Sequence, residues 1–328
     1  TGLQNSPEFL IDRWSYRRNG TFTSATFSMA QSTDVPTGQG FTKSAKIDCT
    51  ATESSLPADV FAAFNQAIEG QMLQYLKKGT SNAESLALSF WVKSNKTGTY
   101  IFNLWDQDNN RLIAKSYTIS SANTWEKKTI ILDADTTGTL DNDNASSFQL
   151  YWYFCAGSNF TSGTLQTSWG TRVDADRAVG QVNLADSTSN EWYITGVQLE
   201  AGQVASDFEF LPHDINEQRC HRYYYRLTAS TAYANGGTGR AYSTANGQAF
   251  VDMPVPMRAS PSSTGYSALS DWNHSGSGSI TALSPASHVT GDYRRMTIDI
   301  TGGFTNGQAV ALNANNTTSA WIEWDAEL

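Results

Sequence analysis

The chain has 328 residues, of which 16% are charged and 12% aromatic, and its formal net charge is −9. This length accommodates two domains with a core each, and many Gly, Ser, Thr and Asn residues favour β-sandwiches over helical bundles. An acidic chain without a lysine or arginine tract argues against a nucleic-acid partner, and no apolar run approaches the roughly 20 residues needed for membrane insertion.

Several segments before residue 212 alternate as β-strands do. In Leu86–Ser94 the apolar side chains share one face, and Trp91 lies on the other. In Thr97–Ile119, two apolar runs flank the turn sequence Asp106–Asn110, which predicts a hairpin. Strands of this length predict an antiparallel, all-β domain. Further strands are predicted at Trp125–Leu132, Phe148–Phe154 and Glu191–Glu200.

One segment, Leu56–Lys78, has the periodicity of an amphipathic helix. Gly70 interrupts it, at a cost of about 1 kcal/mol relative to alanine in a helix. We therefore expect a broken segment, with a turn near Pro57–Phe64, a strand through Ile68 and a helical turn near Met72–Lys77.

The composition changes after Tyr225, where Ala, Gly, Ser and Thr dominate. The prolines of Ala249–Ser262 predict an extended edge segment. Closing strands are predicted within 294–302, 308–315 and 319–328. Just before this region, a short helix capped by Asp214 leads into a tyrosine-rich strand. We predict a β-sandwich over residues 1–212, an ordered junction over 213–226 and a smaller C-terminal β domain over 227–328.

The stretches Val197–Glu209 and Cys220–Arg226 read VQLEAGQVASDFE and CHRYYYR. They resemble a segment common in bacteriophage tail-fibre and other virion appendage proteins. There, a carbohydrate-binding-module-like jelly roll ends in VQLE-x-G-x-x-A-x-x-FE, and a Cys-x-Arg-Tyr-Tyr element follows. The likeness covers nearly the whole chain. The other similar stretches are Asp12–Trp14, Ile68–Gly70, Ser89–Lys93, Thr97–Tyr100, Trp125–Lys128, Met257–Pro261 and Trp324–Leu328.

The resemblance implies a jelly-roll sandwich with a C-terminal module, located on the virion surface among other virion proteins. It implies a structural protein of a tail fibre or similar appendage that displays a host- or glycan-binding surface. The alternative is a capsid or tail decoration protein without a specific receptor. The family's motifs are structural, so they assign no ligand residue. Since only a remnant of the family's first strand precedes Asp12, we expect a strand or an anchoring segment to be missing.

Catalytic motifs are not evident in the sequence. The histidines His213, His221, His274 and His288 lie in neither a Ser/His/Asp nor an HExxH context. A carboxylate pair for glycoside cleavage has no sequence signature, and 31 acidic residues are present. We expect a protein that is not an enzyme, and a polysaccharide depolymerase is the least favoured function.

Aromatic rings are the candidate glycan-binding groups, because sugars pack on flat ring faces. Trp91, Tyr151 and Tyr153 point away from the predicted core faces of their strands. They are candidates for one concave platform. We favour the alternative, that long loops cover both faces of these strands, since aromatic stripes are more often core than site.

Asp106, Asp108 and Asn110 have a spacing found in calcium-binding loops. No glutamate closes an EF-hand loop, and a turn already explains these residues. We expect neither a metal ion nor a cofactor.

The region Cys220–Leu328 looks poor in apolar core residues. Apolar side chains that a small domain cannot bury tend to mark an interface. Together with the fibre resemblance, this predicts a homotrimer with its contacts in that region. The alternative is a monomer in which Trp321 or Trp324 is buried. The predicted interface residues are Tyr223, Tyr224, Tyr225, Trp321 and Trp324.

Overall fold

Residues 2–3, 8–275, 278–286 and 293–328 are described by a computed structural model of the chain. The chain divides into two units, Thr1–Phe210 and Leu211–Leu328. Both consist mainly of antiparallel β-strands, which confirms the predicted all-β class. Over the described ranges, no helix combines the length and the apolar character needed to cross a membrane.

The first unit is a sandwich of a six-stranded sheet, ordered β1-β4-β5-β13-β7-β10, and a seven-stranded sheet, ordered β12-β9-β8-β11-β6-β3-β2. Its elements are β1 (Gly2–Leu3), β2 (Glu8–Ile11), β3 (Trp14–Asn19), β4 (Thr26–Ser32), β5 (Ser44–Ala51), β6 (Phe61–Glu69), β7 (Leu86–Ser94), β8 (Gly98–Asp106), β9 (Arg111–Ile119), β10 (Glu126–Leu132), β11 (Ser146–Ala156), α1 (Ser158–Thr161), β12 (Gly170–Thr171) and β13 (Glu191–Ala201).

Aromatic side chains from both sheets fill the space between them. Trp152 of β11 is fully buried, and its ring centroid lies 4.8 Å from that of Phe102 and 5.8 Å from that of Phe90 in the opposite sheet. Phe154 packs against Trp192 across the same interior, with centroids 5.4 Å apart. Each such side chain removed from water stabilises the fold by about 1.5–3 kcal/mol, so this aromatic layer holds the sheets together.

The segment predicted to be broken contains β6 and two short 3-10 turns, Gly70–Met72 and Gln74–Leu76. The strand through Ile68 and the helical turn near Met72–Lys77 are confirmed. A Cβ atom at Gly70 would lie 2.0 Å from the carbonyl oxygen of Asp141. Glycine is therefore required where the strand ends and the turns begin.

The second unit contains a closed barrel, ordered β15-β16-β20-β19-β18-β21, and a three-stranded sheet, ordered β14-β22-β17. The predicted helix is present but begins one residue before Asp214, which lies in its first turn. The elements are α2 (His213–His221), β14 (Tyr224–Thr228), β15 (Asn235–Ala241), β16 (Asn246–Asp252), β17 (Ser263–Tyr266), β18 (Trp272–His274), β19 (Gly278–Ala286), β20 (Arg295–Gly302), β21 (Ala309–Ala314) and β22 (Trp321–Asp325).

The second unit has a hydrophobic core of its own, so the expectation of a core-poor region is wrong. Ile298, Ile300 and Leu312 are buried inside the barrel. Its many small residues allow strands to approach closely, and a Cβ atom at Gly239 would lie 2.0 Å from the carbonyl oxygen of Gln248. The Ala- and Gly-rich composition therefore reflects tight packing in a narrow barrel.

Candidate functional site

The predicted aromatic platform does not exist as one surface. Tyr151 and Tyr153 share the outer face of β11 in the seven-stranded sheet, where they are 5% and 0% exposed. Residues 157–178 run across this face and pack Phe160 and Ala178 against it. The alternative stated above, that a loop covers these rings, is therefore the correct one.

A guanidinium group fills the space above these tyrosines. The Arg177 side chain is buried, with its central carbon 5.0, 5.6 and 5.9 Å from the ring centroids of Phe61, Tyr151 and Tyr153. Its carbonyl oxygen accepts a hydrogen bond from Nδ2 of Asn103, at 2.8 Å. Burial raises the pKa of Tyr153 to about 12. The rings thus bind the protein's own cation and are unavailable to a ligand.

Trp91 lies in the other sheet, away from the tyrosines. It is on the outer face of β7 and is partly exposed. Its cross-strand neighbours are Lys127 of β10 and Thr195 of β13. Its role in glycan binding remains a prediction, now for a single ring.

A cleft of about 270 Å³ opens between the two sheets near the starts of β3 and β5, and we call it the mouth cleft. Its apolar wall consists of Ile11, Trp14, Phe64, Ile194 and Val197. Its volume is close to the lower end of the range for small-molecule sites, about 300 Å³.

Two parallel aromatic rings form one side of the mouth cleft. Trp14 begins β3 and pairs with Gln66 of β6, which places its indole beside Phe64. The two ring centroids are 4.6 Å apart, and the planes differ by 5°. Trp14 is only partly buried, although its ring also contacts the buried Trp152, at 5.7 Å. The indole is therefore held rigidly by the core while it lines an open space.

An irregularity in β13 shapes the opposite side. The strand register shifts between Thr195 and Gln198, and Gly196 has a φ of +59°. A Cβ atom at Gly196 would lie 2.4 Å from the Phe41 ring. Oγ1 of Thr195 donates a hydrogen bond to the carbonyl oxygen of Lys43, at 2.8 Å. Only glycine allows this bulge with the Phe41 ring packed on it.

The motif that follows the bulge is a side-chain clamp. Oε1 of Gln198 accepts a hydrogen bond from the Glu209 amide at 2.7 Å, and its Nε2 donates to Oγ of Ser206 at 3.0 Å. The Glu200 carboxylate accepts from both the amide and the hydroxyl of Ser206, at 3.0 and 2.6 Å. These bonds lower the pKa of Glu200. The VQLE sequence therefore folds the chain back onto β13.

Polar groups complete the mouth cleft. They belong to Gln31, Lys43, Ser44 and Thr195, of which the Ser44 and Thr195 hydroxyls donate to the carbonyl oxygens of Asp34 and Lys43. Among the described lining residues there is no Asp, Glu or His. The cleft can therefore pack an apolar ligand face on the partly buried Trp14 ring and hydrogen-bond the ligand's polar edge, whereas the Phe64 ring is buried behind Trp14.

Sequence reasoning did not identify these cleft residues as a site. Trp14 appeared only within the Asp12–Trp14 motif, and Gln31 and Lys43 carried no signal.

The calcium hypothesis is not supported at Asp106. Its buried carboxylate binds Nζ of Lys78, at 2.5 Å, whereas the Asp108 carboxylate accepts from the Asp141 amide, at 3.0 Å. Within the described residues, no group of three or more His, Cys, Asp or Glu side chains could hold a metal ion.

Of the four histidines considered for catalysis, His288 lies outside the described residues.

Two of the predicted interface residues are core residues of the second unit. Tyr223 is 2% exposed and Trp324 is 0% exposed. Trp324 shares the inner face of β22 with Ile322, and the Tyr225 ring stacks on it with centroids 6.2 Å apart. The interface prediction is wrong for Tyr223 and Trp324, because both side chains point inward.

Tyr224 and Trp321 are partly exposed. The Tyr224 hydroxyl donates to Oε2 of Glu323, at 2.6 Å, and the Arg226 guanidinium lies 4.0 Å from the Trp321 ring centroid. For these two residues and for the half-buried Tyr225, an oligomer contact remains a prediction.

No protein-family model and no curated protein matches this chain. Solved structures that it resembles include the enzymatically active domain of tailspike protein 4 from bacteriophage CBA120, at 15% identity and a TM-score of 0.32, over 59% of this chain and 20% of that one. They also include a family 11 carbohydrate-binding module from Clostridium thermocellum, at 14% identity and a TM-score of 0.32, over 62% and 96% of the two chains. The chain thus spans about a fifth of the tailspike domain's length.

Proposed function

We propose that this chain is a non-enzymatic subunit of a virion appendage that binds a carbohydrate in the mouth cleft. The arrangement of the cleft carries this proposal. The partly buried Trp14 ring, stacked on the buried Phe64 ring, lines the cleft together with the exposed Gln31. Sugars present C–H faces that pack on aromatic rings and hydroxyls that pair with amides and hydroxyls.

The chemistry of the cleft favours retention of the sugar over its cleavage. Glycoside hydrolysis requires two carboxyl groups on either side of the scissile bond. The described residues that line the cleft include no carboxylate. Incubation with host capsule or cell-wall polysaccharide should therefore release no oligosaccharide. Release that stops on mutation of an acidic residue would contradict this part of the proposal.

The virion location rests on the sequence motifs, above all Val197–Glu209 and Cys220–Arg226. A single small cleft binds weakly, and several linked copies raise the overall affinity by about 10²–10⁴. We therefore propose a homotrimer on the particle surface, joined to other virion proteins. Light scattering on the full chain tests this at micromolar concentration, where a purely monomeric species would contradict it.

A glycan array probed with the full chain at high avidity tests the carbohydrate site. We expect binding that falls at least about tenfold in Trp14→Ala, because loss of an aromatic anchor costs about 2 kcal/mol or more. Gln31→Ala removes only an exposed amide and should weaken binding without affecting folding. Trp91→Ala is the comparison variant, since it removes the remaining predicted glycan-binding ring, a partly exposed indole on the outer face of β7.

Two results would overturn the carbohydrate site. One is the absence of binding to any glycan. The other is a loss of binding in Trp91→Ala but not in Trp14→Ala, which would place the site on the outer face of the six-stranded sheet. Circular dichroism of each variant separates lost binding from lost folding.

One observation favours a second function, that of a decoration protein without a receptor. Arg177 and residues 157–178 cover the outer face of the seven-stranded sheet, so that face is built for stability. In that case the mouth cleft is only a gap in the packing. Imaging of the labelled chain on intact particles distinguishes the two, since a head location leaves adsorption to other proteins.

A further inference from the structure

The rim of the mouth cleft carries Lys43, a cation with no partner among the described residues. Most lysines of the first unit form ion pairs, such as Lys46 with Glu191, at 2.8 Å, and Lys96 with Asp186. Lys43 is exposed, and within the described residues its ammonium has neither a hydrogen bond nor an ion pair. Its carbonyl oxygen accepts the hydrogen bond from Thr195.

The described lining of the mouth cleft contains no carboxylate beside this charge. The whole chain has a net charge of −9, yet the described cleft lining includes one cation and no carboxylate. A ligand carboxylate in the cleft would therefore meet an attractive charge at short range. Because Lys43 is exposed, salt screens that attraction, and its contribution is modest.

We propose that the mouth cleft selects acidic saccharides, with a sugar carboxylate paired to Lys43 and the ring face packed on Trp14. This inference rests on the proposed function, because it specifies the class of sugar bound at the same site. A carboxylate reached by a single ammonium suits uronic-acid units, whose charge projects from the ring edge while the C–H face stays free for the indole. The exposed Gln31 amide remains available for the ring hydroxyls, whereas the buried Ser44 hydroxyl donates to the carbonyl oxygen of Asp34, at 2.7 Å.

Affinity electrophoresis of the full chain through gels that contain acidic polysaccharides tests the selection. The probes are polygalacturonate, alginate and hyaluronan, each beside its methyl ester, which keeps the sugar and removes the charge. At low salt, we expect at least one free acid to be bound about two- to fivefold more tightly than its ester, the range for an exposed ion pair. The ratio should approach one at high ionic strength.

The variant Lys43→Gln should bring this ratio close to one, because it should weaken binding of the free acid more than binding of the ester. Lys127→Gln is the matched control, because Lys127 is an exposed lysine of β10 that lies outside the cleft. It should keep the wild-type ratio. Trp14→Ala should weaken acid and ester alike, which a purely electrostatic contact elsewhere on the surface would not do.

Equal binding of acid and ester by the wild-type chain would overturn the inference, and so would an unchanged ratio in Lys43→Gln. If esters or neutral glycans still bind in a Trp14-dependent way, only the selection for acidic sugars fails. If no saccharide binds at all, the proposed function fails with it.

Discussion

Replacing Lys78 with methionine should destabilise the first unit strongly. The Lys78 side chain is only 4% exposed, and its Nζ lies 2.5 Å from Oδ2 of Asp106 and 3.0 Å from Oδ2 of Asp135. It also donates hydrogen bonds to the carbonyl oxygens of Thr137 and Gly138, at 2.9 and 2.8 Å. The variant leaves these four oxygen atoms without their shared cation.

The size of the expected loss of stability depends on the hydrogen bonds that Asp106 and Asp135 keep in the variant. Removing one partner of a buried ion pair costs about 3–5 kcal/mol, because the other charge is left buried and unpaired. Asp135 keeps two hydrogen bonds from Arg111, both at 2.8 Å. Asp106 keeps those from the amide and Nδ2 of Asn109, at 3.1 and 3.0 Å. We therefore expect a loss near the lower end, about 3 kcal/mol.

Urea unfolding of the full chain measures the change, and native-state hydrogen exchange in β8 and β9 assigns it to the first unit. Lys77→Met is the matched control. Lys77 is more than half exposed and pairs only with Glu84, so its loss should change stability by at most about 1 kcal/mol. The double variant Lys78→Met/Asp106→Asn should recover part of the loss, because it removes the unpaired charge.

A loss of less than about 1 kcal/mol in Lys78→Met would refute the reasoning, since it would equal that of an exposed pair. So would a double variant that is less stable than Lys78→Met itself.

The ion pair between Lys78 and Asp135 should also respond to acid. Burial opposes ionisation of Asp135, but the bonds from Arg111 and Lys78 outweigh it and lower its pKa. Its contribution is therefore complete above its unfolded pKa, near 3.9, and is lost as the pH falls through the folded pKa.

Three further outcomes are expected. Gly196→Ala should cost about 1–3 kcal/mol in thermal unfolding, because a Cβ at this positive φ meets the Phe41 ring; a change below about 0.5 kcal/mol would contradict the bulge argument. Arg177→Met should cost about 2 kcal/mol from lost cation–π contacts, without affecting glycan binding; new binding would show that the covered face is a site. Burial lowers the pKa of His274, so the calorimetric stability of the second unit should fall as the pH drops below about 6.5, the unfolded value. His274→Phe should flatten that slope, and a slope that persists would assign it elsewhere.

Strands with one apolar face could be located from the sequence. β7 has the predicted bounds, Leu86–Ser94, because its inner positions are apolar and its outer face is mixed. Phe148–Phe154 is aromatic on both faces, so alternation cannot say which face is covered. That is decided by residues 157–178, which have no periodic pattern and fold over Tyr151 and Tyr153 only through tertiary contacts.

In β22, the strand period itself separates the two tryptophans. Trp321 and Trp324 are three residues apart, so they point to opposite faces of a strand. Trp324 lies on the buried face with Ile322, and Trp321 on the outer face beneath Arg226. The alternation of side chains along β22 therefore excludes an interface that contains both tryptophans.

The mouth cleft had no comparable signal. Trp14, Gln31, Lys43 and Thr195 come from separate strands and a loop, and none is unusual among its sequence neighbours. Only the packing of the two sheets brings them together. A site of this kind becomes visible once the register of β13 and its bulge are known.

The oxygen cage around Lys78 also determines how the first unit depends on its surroundings. Two carboxylates and two carbonyl oxygens are ligands that a free hard cation would accept. A dissociable ion stabilises a fold only in proportion to its concentration and affinity, through mass action. Here the cation is covalently part of the chain, so its local concentration is fixed. The oxygen atoms around Lys78 therefore keep their counter-charge in dilute solution, in the presence of chelators and at low ion concentration.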